Sequence, residues 1–231
     1  MHENTAIIIP AYEEEKYIGK TINLIKTTGY SGKIIVIDDG SKDNTSEVAK
    51  KMGATVIRFE KNRGKANAFF AGLRYALRSN SKSIISFDAD MTRITKNDLN
   101  LCFNKLNEYN KQKLPRMLIP NTYEVYPLES HDKDDRVPHE IAGIRGFTRR
   151  MAHLILRSSN KKFAKGYCLE PYLNHLYSDF IKLEKETTFY AESHNRARGK
   201  TIAAIHRIHQ FEELLIFKHK IKNKFPKRHI L

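Results

Sequence analysis

Short runs of apolar, mostly β-branched residues alternate with segments of helical period over the first half of the chain. Runs of this length bounded by turn residues are typical of strands buried on both faces. Parallel strands need crossover connections, which helices supply. The alternation therefore predicts an α/β fold: a doubly wound, mostly parallel sheet with helices on both faces. The predicted strands are residues 5–10, 33–37, 54–59 and 83–87, and the predicted helices are residues 13–28, 45–52, 65–79 and a fourth that starts at a capping box of Thr95 and Asp98.

The pattern is weaker in the second half of the chain. It predicts a short strand, a long mobile loop, two helices and a further strand, at residues 116–119, 121–139, 148–157, 168–180 and 181–190. From residue 202 onward the chain is basic and helical in pattern. Since we find no internal repeat and no low-complexity linker, we expect a single domain over residues 1–200 and a basic amphipathic helical extension over residues 201–231.

Acidic side chains follow three of the predicted strands at the point where each strand ends. They are Glu13 and Glu14, Asp38 and Asp39, and Asp88 and Asp90. Ligands of open α/β sheets bind outside the carboxyl ends of the strands, where these side chains would meet. Grouped carboxylates repel one another unless they are compensated, and oxygen ligands suit Mg2+ or Mn2+. Taken singly, Asp-Asp-Gly-Ser is a common turn and Asp-x-Asp a common solvated loop, so their shared position predicts the metal site.

Four segments in the first 90 residues resemble family 2 glycosyltransferases of the GT-A fold. These are IIIPAYEEEKYIGKTI, IVIDDGSKDNT, FEKNRGKANAFFAGL and ISFDAD. Two later segments, GIRGFTRR and GYCLEPYLNHL, are similar to segments of the polyprenyl (dolichyl) phosphate glycosyltransferase branch. The resemblance implies a Rossmann-like half that binds a nucleotide-sugar at residues 1–120 and an acceptor-binding half at residues 121–200.

The resemblance also implies which residues bind the donor and a divalent metal. The positions that match the family's nucleotide-sugar site are Pro10, Ala11, Tyr12, Glu14, Asp38, Asp39, Lys65 and Asp88. The family's metal-binding pair matches Asp88 and Asp90, and His194 is the candidate for a third ligand. Two alternatives stay open: Lys65 as a solvated lysine, and His194 as an ordinary surface histidine.

The acceptor side lacks the Glu-Asp pair that many inverting members use as a general base. The catalytic candidates are therefore Asp90, Arg145 and the lone carboxylate Glu170. A phosphate acceptor is already ionised at neutral pH and needs cations rather than a base. Arg145, Arg149 and Arg150 are candidates to bind such a phosphate. We expect Arg145 in that role, because its flanking glycines should leave it accessible.

Charge and cysteine content restrict the partners and the compartment. The formal net charge of +15 favours an anionic partner. Nucleic acid is not favoured, because the strand ends are acidic. Two cysteines without a paired motif, no signal peptide and no apolar stretch of about 18 residues predict a cytoplasmic protein. The basic extension predicts either peripheral contact with anionic membrane at its inner face or packing onto the domain.

The sequence thus predicts a metal-dependent transferase. It would move a hexose from a UDP- or GDP-sugar to a phosphate-bearing or hydroxyl acceptor, with inversion. The alternative within the fold class, a sugar-phosphate nucleotidyltransferase, would need a glycine-rich first loop followed by an arginine, and the first loop here is Pro10-Ala11-Tyr12-Glu13.

Overall fold

The computed structural model describes residues 4–125, 143–158, 164 and 169–192. Eight strands form one sheet in the order β3-β2-β1-β4-β7-β6-β8-β5. The strands are β1 (Thr5–Ala11), β2 (Lys33–Asp38), β3 (Thr55–Arg58), β4 (Ser83–Ser86), β5 (Met91–Arg93), β6 (Met117–Val125), β7 (Arg145–Thr148) and β8 (Ile181–Glu192). The helices are α1 (Ile18–Thr27), α2 (Thr45–Lys51), α3 (Lys65–Arg78), α4 (Lys96–Lys111), α5 (Arg149–Arg157) and α6 (Leu169–Leu176). A 3-10 turn, Ser178–Phe180, follows α6.

Strands β1 to β4 pair in parallel, which confirms the α/β fold expected from the alternation. Beyond β4 the sheet is mixed: β7 is antiparallel to both of its neighbours, β6 and β8 are parallel, and β5 is antiparallel to β8. The sheet is thus mostly parallel, and the antiparallel pairs lie in the half that the sequence pattern described least well.

Helices cover both faces of the sheet and account for the continuous apolar runs. On one face, α3, α5 and α6 pack with Ile8 and Ile35. On the other, α1, α2 and α4 pack with Ile7, Ile9 and Val36. Because neighbouring residues of a strand point to opposite faces, a strand between two helical layers must be apolar at every position.

Three predicted elements differ from the structure by more than two residues at one end. The helix predicted over residues 168–180 ends at Leu176, and the 3-10 turn Ser178–Phe180 follows it. Helix α1 begins at Ile18 rather than at residue 13, because Glu13 has a φ of 57° and the next residues form a turn. Strand β6 runs to Val125, so residues 121–125 are strand and not the loop we expected. The rest of that predicted loop, the metal candidate His194 and the C-terminal extension lie outside the described residues. The domain boundary at residue 200 therefore stays a prediction.

Helix starts follow local side-chain chemistry where the sequence showed a cap. The Thr95 hydroxyl accepts the Asp98 backbone N–H at 3.2 Å and donates to the Asp98 carboxylate at 2.6 Å, so the predicted start of α4 at Thr95 is confirmed. Thr148 caps α5 in the same way, accepting the N–H of Met151. Among the described residues, no helix combines the length and apolar character needed to cross a membrane.

Candidate active site

The candidate site lies at the carboxyl ends of β1, β2 and β4. There the loop after β1 is fastened to the loop after β2 by backbone N–H groups that donate to side-chain oxygens. The pairs are Glu13 to Ser41 Oγ at 3.0 Å, Glu14 to Thr45 Oγ1 at 2.9 Å and Glu15 to Asp43 Oδ2 at 3.1 Å. Three successive amides thus have hydrogen-bond acceptors on side chains 28 to 31 residues away. These bonds stabilise a turn where the sequence predicted the first turn of α1.

Asp38, the last residue of β2, is fully buried. Its Oδ1 accepts the backbone N–H of Ser41 at 2.8 Å, and its Oδ2 accepts the hydroxyl of Ser46. The Arg58 guanidinium lies 3.7 Å from the same Oδ2. Both carboxylate oxygens therefore hold the turn into α2, and contact of Asp38 with a nucleotide stays a prediction.

Asp39 connects the loop after β2 to the loop between β3 and α3. Its carboxylate is 2% exposed, and its two oxygens accept the backbone N–H groups of Arg63 and Gly64, each at 2.7 Å. Burial raises the pKa of Asp39 above its ordinary value, although these two N–H groups oppose the shift. Gly64 has a φ of 88° and is the residue before α3. Asp39 thereby fixes the start of α3, where Lys65 stands.

Lys65 bridges two carboxylates that are far apart in the sequence. Its Nζ lies 2.9 Å from Asp88 Oδ1 and 3.0 Å from Glu170 Oε1. Desolvation lowers the pKa of Lys65, but the ion pairs with Asp88 and Glu170 outweigh it, so the pKa rises overall. Lys65 is therefore ion-paired while 43% of its side chain is exposed to solvent, and its contact with the donor stays a prediction.

Arg145 lies beneath this cluster and is 1% exposed. Our expectation that its flanking glycines leave it accessible is wrong. Arg145 begins β7, a central strand, and a Cβ at Gly146 would come within 2.9 Å of Leu106. These glycines permit close packing rather than access. Burial lowers the pKa of Arg145 to about 10, opposed by Glu170 and Asp88, so the guanidinium stays charged at neutral pH.

Gly143 lies against the carboxylate of Asp88. A Cβ at this position would stand 2.0 Å from Asp88 Oδ2, closer than any real contact. Gly143 was not among our predicted site residues. The signal was present in the glycines around Arg145, which we interpreted as making the arginine accessible.

Arg149 serves the fold rather than the site. Its guanidinium donates to the backbone carbonyl oxygens of Leu77 at 3.2 Å and Ser81 at 2.8 Å, at the C-terminal end of α3. Cations at this end also favour the helix dipole. The contacts of Arg149 are thus with α3, not with the cluster around Asp88.

The remaining donor-site candidates line the edge of the same region. Pro10 is half-buried, Ala11 is buried and Tyr12 is 40% exposed. Glu14 and Asp90 are both half-buried. These positions agree with a donor that lies over the strand ends, but the binding roles of the five residues stay predictions.

Asp88 and Asp90 are the candidate metal ligands among the described residues. Asp88 and Asp90 supply carboxylate oxygens, which are suitable ligands for Mg2+ or Mn2+. Within residues 4–125, 143–158, 164 and 169–192, no three Asp, Glu, His or Cys side chains are grouped closely enough to hold an ion. The Asp88 and Asp90 pair therefore fits a metal only as part of a larger ligand set, which solvent, a diphosphate or His194 would complete.

Among curated proteins, the chain is similar to a UDP-N-acetylglucosamine--dolichyl-phosphate N-acetylglucosaminyltransferase of Methanococcus voltae. The two are 34% identical over 101 residues, which is 36% of this chain and 40% of the relative. Relatives from Methanocaldococcus jannaschii are matched over 34% and 38% of their length. The chain thus spans about a third to two fifths of the length of these relatives.

Solved structures of similar fold include two with bound UDP. Staphylococcus aureus TarS 1-349 in complex with UDP has a TM-score of 0.63 at 15% identity, over 96% of this chain and 72% of that one. Glucosyl-3-phosphoglycerate synthase of Mycobacterium tuberculosis, in complex with Mn2+, UDP and glucosyl-3-phosphoglycerate, has a TM-score of 0.57 at 16% identity, over 93% and 80%. The fold is therefore GT-A. The model of the family described as Glycosyl transferase family 2 matches residues 6–153, and the chain belongs to that family.

Proposed function

We propose that this chain transfers a hexose from a UDP- or GDP-sugar to a phosphate-bearing acceptor such as a polyprenyl phosphate, with a divalent metal and with inversion. The observation that supports this most is the cluster of Lys65, Asp88, Glu170 and Arg145 at the carboxyl ends of the parallel strands. Two cations and two carboxylates come together there from α3, β7, α6 and the loop after β4, at the strand ends where we propose that the donor binds.

The donor diphosphate needs positive charge around it. Asp88 and Asp90 would hold the metal, with His194 as the proposed third protein ligand. A divalent ion there supplies electrostatic stabilisation of the charge that develops on the leaving nucleoside diphosphate. The Mn2+ and UDP bound by the structurally similar synthase support this assignment.

Lys65 and Arg145 contribute fixed positive charge on the protein side. Lys65 stands at the first position of α3, with its ammonium on the site side. A cation at a helix N-terminus is unfavourable for the helix dipole, so its position is better explained by the charges that it meets. Arg145 compensates Asp88 and Glu170 from within the sheet. Because Arg145 is 1% exposed, we propose this charge-compensating role for it in place of direct binding of the acceptor phosphate.

The environment of Glu170 supports the proposal of a phosphate acceptor. This carboxylate is bound to the Lys65 ammonium, and its side chain is 9% exposed. A general base must be free to take a proton, whereas an ionised phosphate oxygen attacks the anomeric carbon without proton removal. In that step the new bond to the phosphate oxygen forms as the bond to the donor diphosphate breaks, and attack from the opposite face gives inversion. The dolichyl-phosphate acceptor named for the Methanococcus relative supports this class.

The first test is binding of the donor nucleotide. We expect UDP or GDP to raise the melting temperature in the presence of Mn2+ and not in EDTA. The stabilisation should reach about 2.7 kcal/mol at about 100 times the dissociation constant. A shift of the same size in EDTA would contradict the metal assignment, and no shift with either nucleotide would contradict the donor.

The second test separates a phosphate acceptor from a hydroxyl acceptor. Steady-state transfer to a short-chain polyprenyl phosphate is measured with the Glu170→Gln and Lys65→Met variants, and with Lys61→Met as an exposed control lysine. If no proton is removed, Glu170→Gln changes kcat little, whereas Lys65→Met weakens transfer and Lys61→Met does not. Loss of a general base costs on the order of 100- to 10,000-fold in rate, so a Glu170→Gln variant that loses turnover to that degree would favour a hydroxyl acceptor.

A further inference from the structure

We propose that Thr21 of α1 is a positioning residue that fixes the orientation of Asp90. The proposal deepens the function above and rests on it in one respect: Asp90 matters to the reaction only if it meets the metal and the donor. The hydrogen bonds that carry the proposal do not depend on that assignment.

A single hydroxyl joins α1 to the loop that carries Asp88 and Asp90. Thr21 Oγ1 donates to the backbone carbonyl oxygen of Ala89 at 2.7 Å. Thr21 Oγ1 also accepts a hydrogen bond from the backbone N–H of Met91, at 3.0 Å. The hydroxyl has one proton to donate and that proton is used, and Thr21 is 68 and 70 residues away from its two partners.

These two bonds hold both peptide groups that flank the Cα of Asp90. The carbonyl of Ala89 belongs to the peptide before Asp90, and the N–H of Met91 belongs to the peptide after it. Since φ and ψ of a residue are set by the orientations of its two flanking peptides, one side chain restrains both torsions of Asp90. It thereby restrains the direction in which the Asp90 carboxylate leaves the backbone.

The surroundings of Thr21 make this restraint stiff. Thr21 is completely buried, so water does not reach the hydroxyl to replace either bond. Its helix neighbours Ile18, Ile22 and Ile25 are also completely buried in the core between α1 and the sheet. Loss of a side chain that hydrogen-bonds to and orients a metal ligand typically reduces metal affinity or activity about 10- to 100-fold.

The test compares three variants on the same helix. Thr21→Val keeps the branched shape and removes the hydroxyl, whereas Thr21→Ser keeps the hydroxyl. Thr28→Val is the matched control: Thr28 is the C-cap of α1, is 8% exposed, and donates its hydroxyl to the Ile25 carbonyl oxygen at 2.6 Å. It therefore loses a buried hydroxyl from the same element without contact to the Asp90 loop.

The first measurement uses the protein without ligand. We expect the amide hydrogen of Met91 to exchange at least about tenfold faster in Thr21→Val, because loss of its acceptor allows local opening, and at the wild-type rate in Thr21→Ser and Thr28→Val. The second measurement is the dissociation constant of UDP or GDP with Mn2+. It should rise about 10- to 100-fold in Thr21→Val only.

The outcomes are distinct. Unchanged Met91 exchange in Thr21→Val overturns the proposal, as does equal acceleration in Thr28→Val, which would indicate general destabilisation. Faster exchange with unaltered nucleotide affinity also overturns it, because the restraint would then not reach the ligand. If the wild type binds neither nucleotide, the proposed function fails, while the exchange data still decide whether Thr21 holds the loop. If Thr21→Val does not fold, the same comparison is made with Thr21→Ala.

Discussion

Replacement of Asp39 by Asn tests how the loops at the strand ends are held. Each oxygen of the buried Asp39 carboxylate accepts one backbone N–H, from Arg63 and from Gly64, at 2.7 Å. The Asn side chain offers one acceptor oxygen and one amino group. In the Asp39→Asn variant, one of the two backbone N–H groups must therefore face another donor.

The expected magnitude follows from that single lost contact. A hydrogen bond to a charged group contributes about 1.5–3 kcal/mol, and the penalty for an unsatisfied buried donor lies in a similar range. These two figures describe the same contact and are not added. The variant also avoids the cost of burying a charged carboxylate, so we expect a net loss in the free energy of unfolding of about 2 kcal/mol. For a chain of 231 residues, this lowers the melting temperature by about 4–8 °C.

The assay is urea unfolding of the ligand-free protein at neutral pH. Asp179→Asn serves as the control, because Asp179 is exposed and substitutions at such sites stay within about 0.5 kcal/mol. If Asp39→Asn is as stable as the control, the carboxylate does not hold the loop and the reasoning is refuted. A loss of stability near 2 kcal/mol in Asp39→Asn alone confirms it.

The pH dependence of the same variant provides a second check. The pKa of Asp39 is raised in the fold by burial. Between the unfolded pKa, about 3.9, and the raised folded pKa, the native state binds more protons, so this carboxyl's contribution to stability falls as pH rises. The Asp39→Asn variant lacks this titration. The stability gap between wild type and variant should therefore be widest at the acid end of the interval and constant above the folded pKa.

Two further substitutions separate the site from its scaffold. Gly143→Ala forces the Asp88 carboxylate to move, since the added Cβ would stand 2.0 Å from Oδ2. We expect kcat/KM for transfer to fall about 100-fold, as for a misplacement of a reacting group by about 1 Å. Wild-type turnover would contradict the contact between Gly143 and Asp88. Arg149→Met removes three hydrogen bonds, to the carbonyl oxygens of Leu77 in α3 and Ser81 just after it. Urea unfolding should show a loss of about 1–3 kcal/mol, while KM for the acceptor stays unchanged. A raised KM would indicate that Arg149 belongs to the acceptor site.

Periodicity predicted the parallel half of the sheet well, because it reports which residues are buried. The first four strands lie within two residues of their predicted ends. The start of α1 was predicted five residues too early for a specific reason. Glu13 to Glu15 look helical locally, but their amides bond to Ser41, Thr45 and Asp43, which are distant in sequence. Contacts of this kind leave no period in the sequence.

The candidate site shows the same division. The sequence indicated Asp88, Lys65 and Glu170 as separate candidates, and the structure places both carboxylates within ion-pair distance of the Lys65 ammonium. Their connection required the position of α6 relative to α3, which no local pattern encodes. The burial of Arg145 was missed because glycine beside a charged residue has two physical interpretations, open access and close packing. Only the neighbours of Gly146 decide between them.

The acidic residues at the strand ends divide into two groups by how their charge is compensated. The sequence argument was that clustered carboxylates repel one another unless they are compensated, and a divalent metal was the compensation we expected. For Asp38 and Asp39 the protein itself supplies the compensation. A backbone N–H, the Ser46 hydroxyl and the Arg58 guanidinium surround Asp38, and two backbone N–H groups bind Asp39. Asp88 differs, because its partner is the ammonium of Lys65. Hydrogen-bond donors fixed in the backbone cannot leave when a ligand arrives, whereas a lysine side chain can rotate. We therefore expect the metal at the loop of Asp88 and Asp90, where it would replace the Lys65 ammonium beside Asp88.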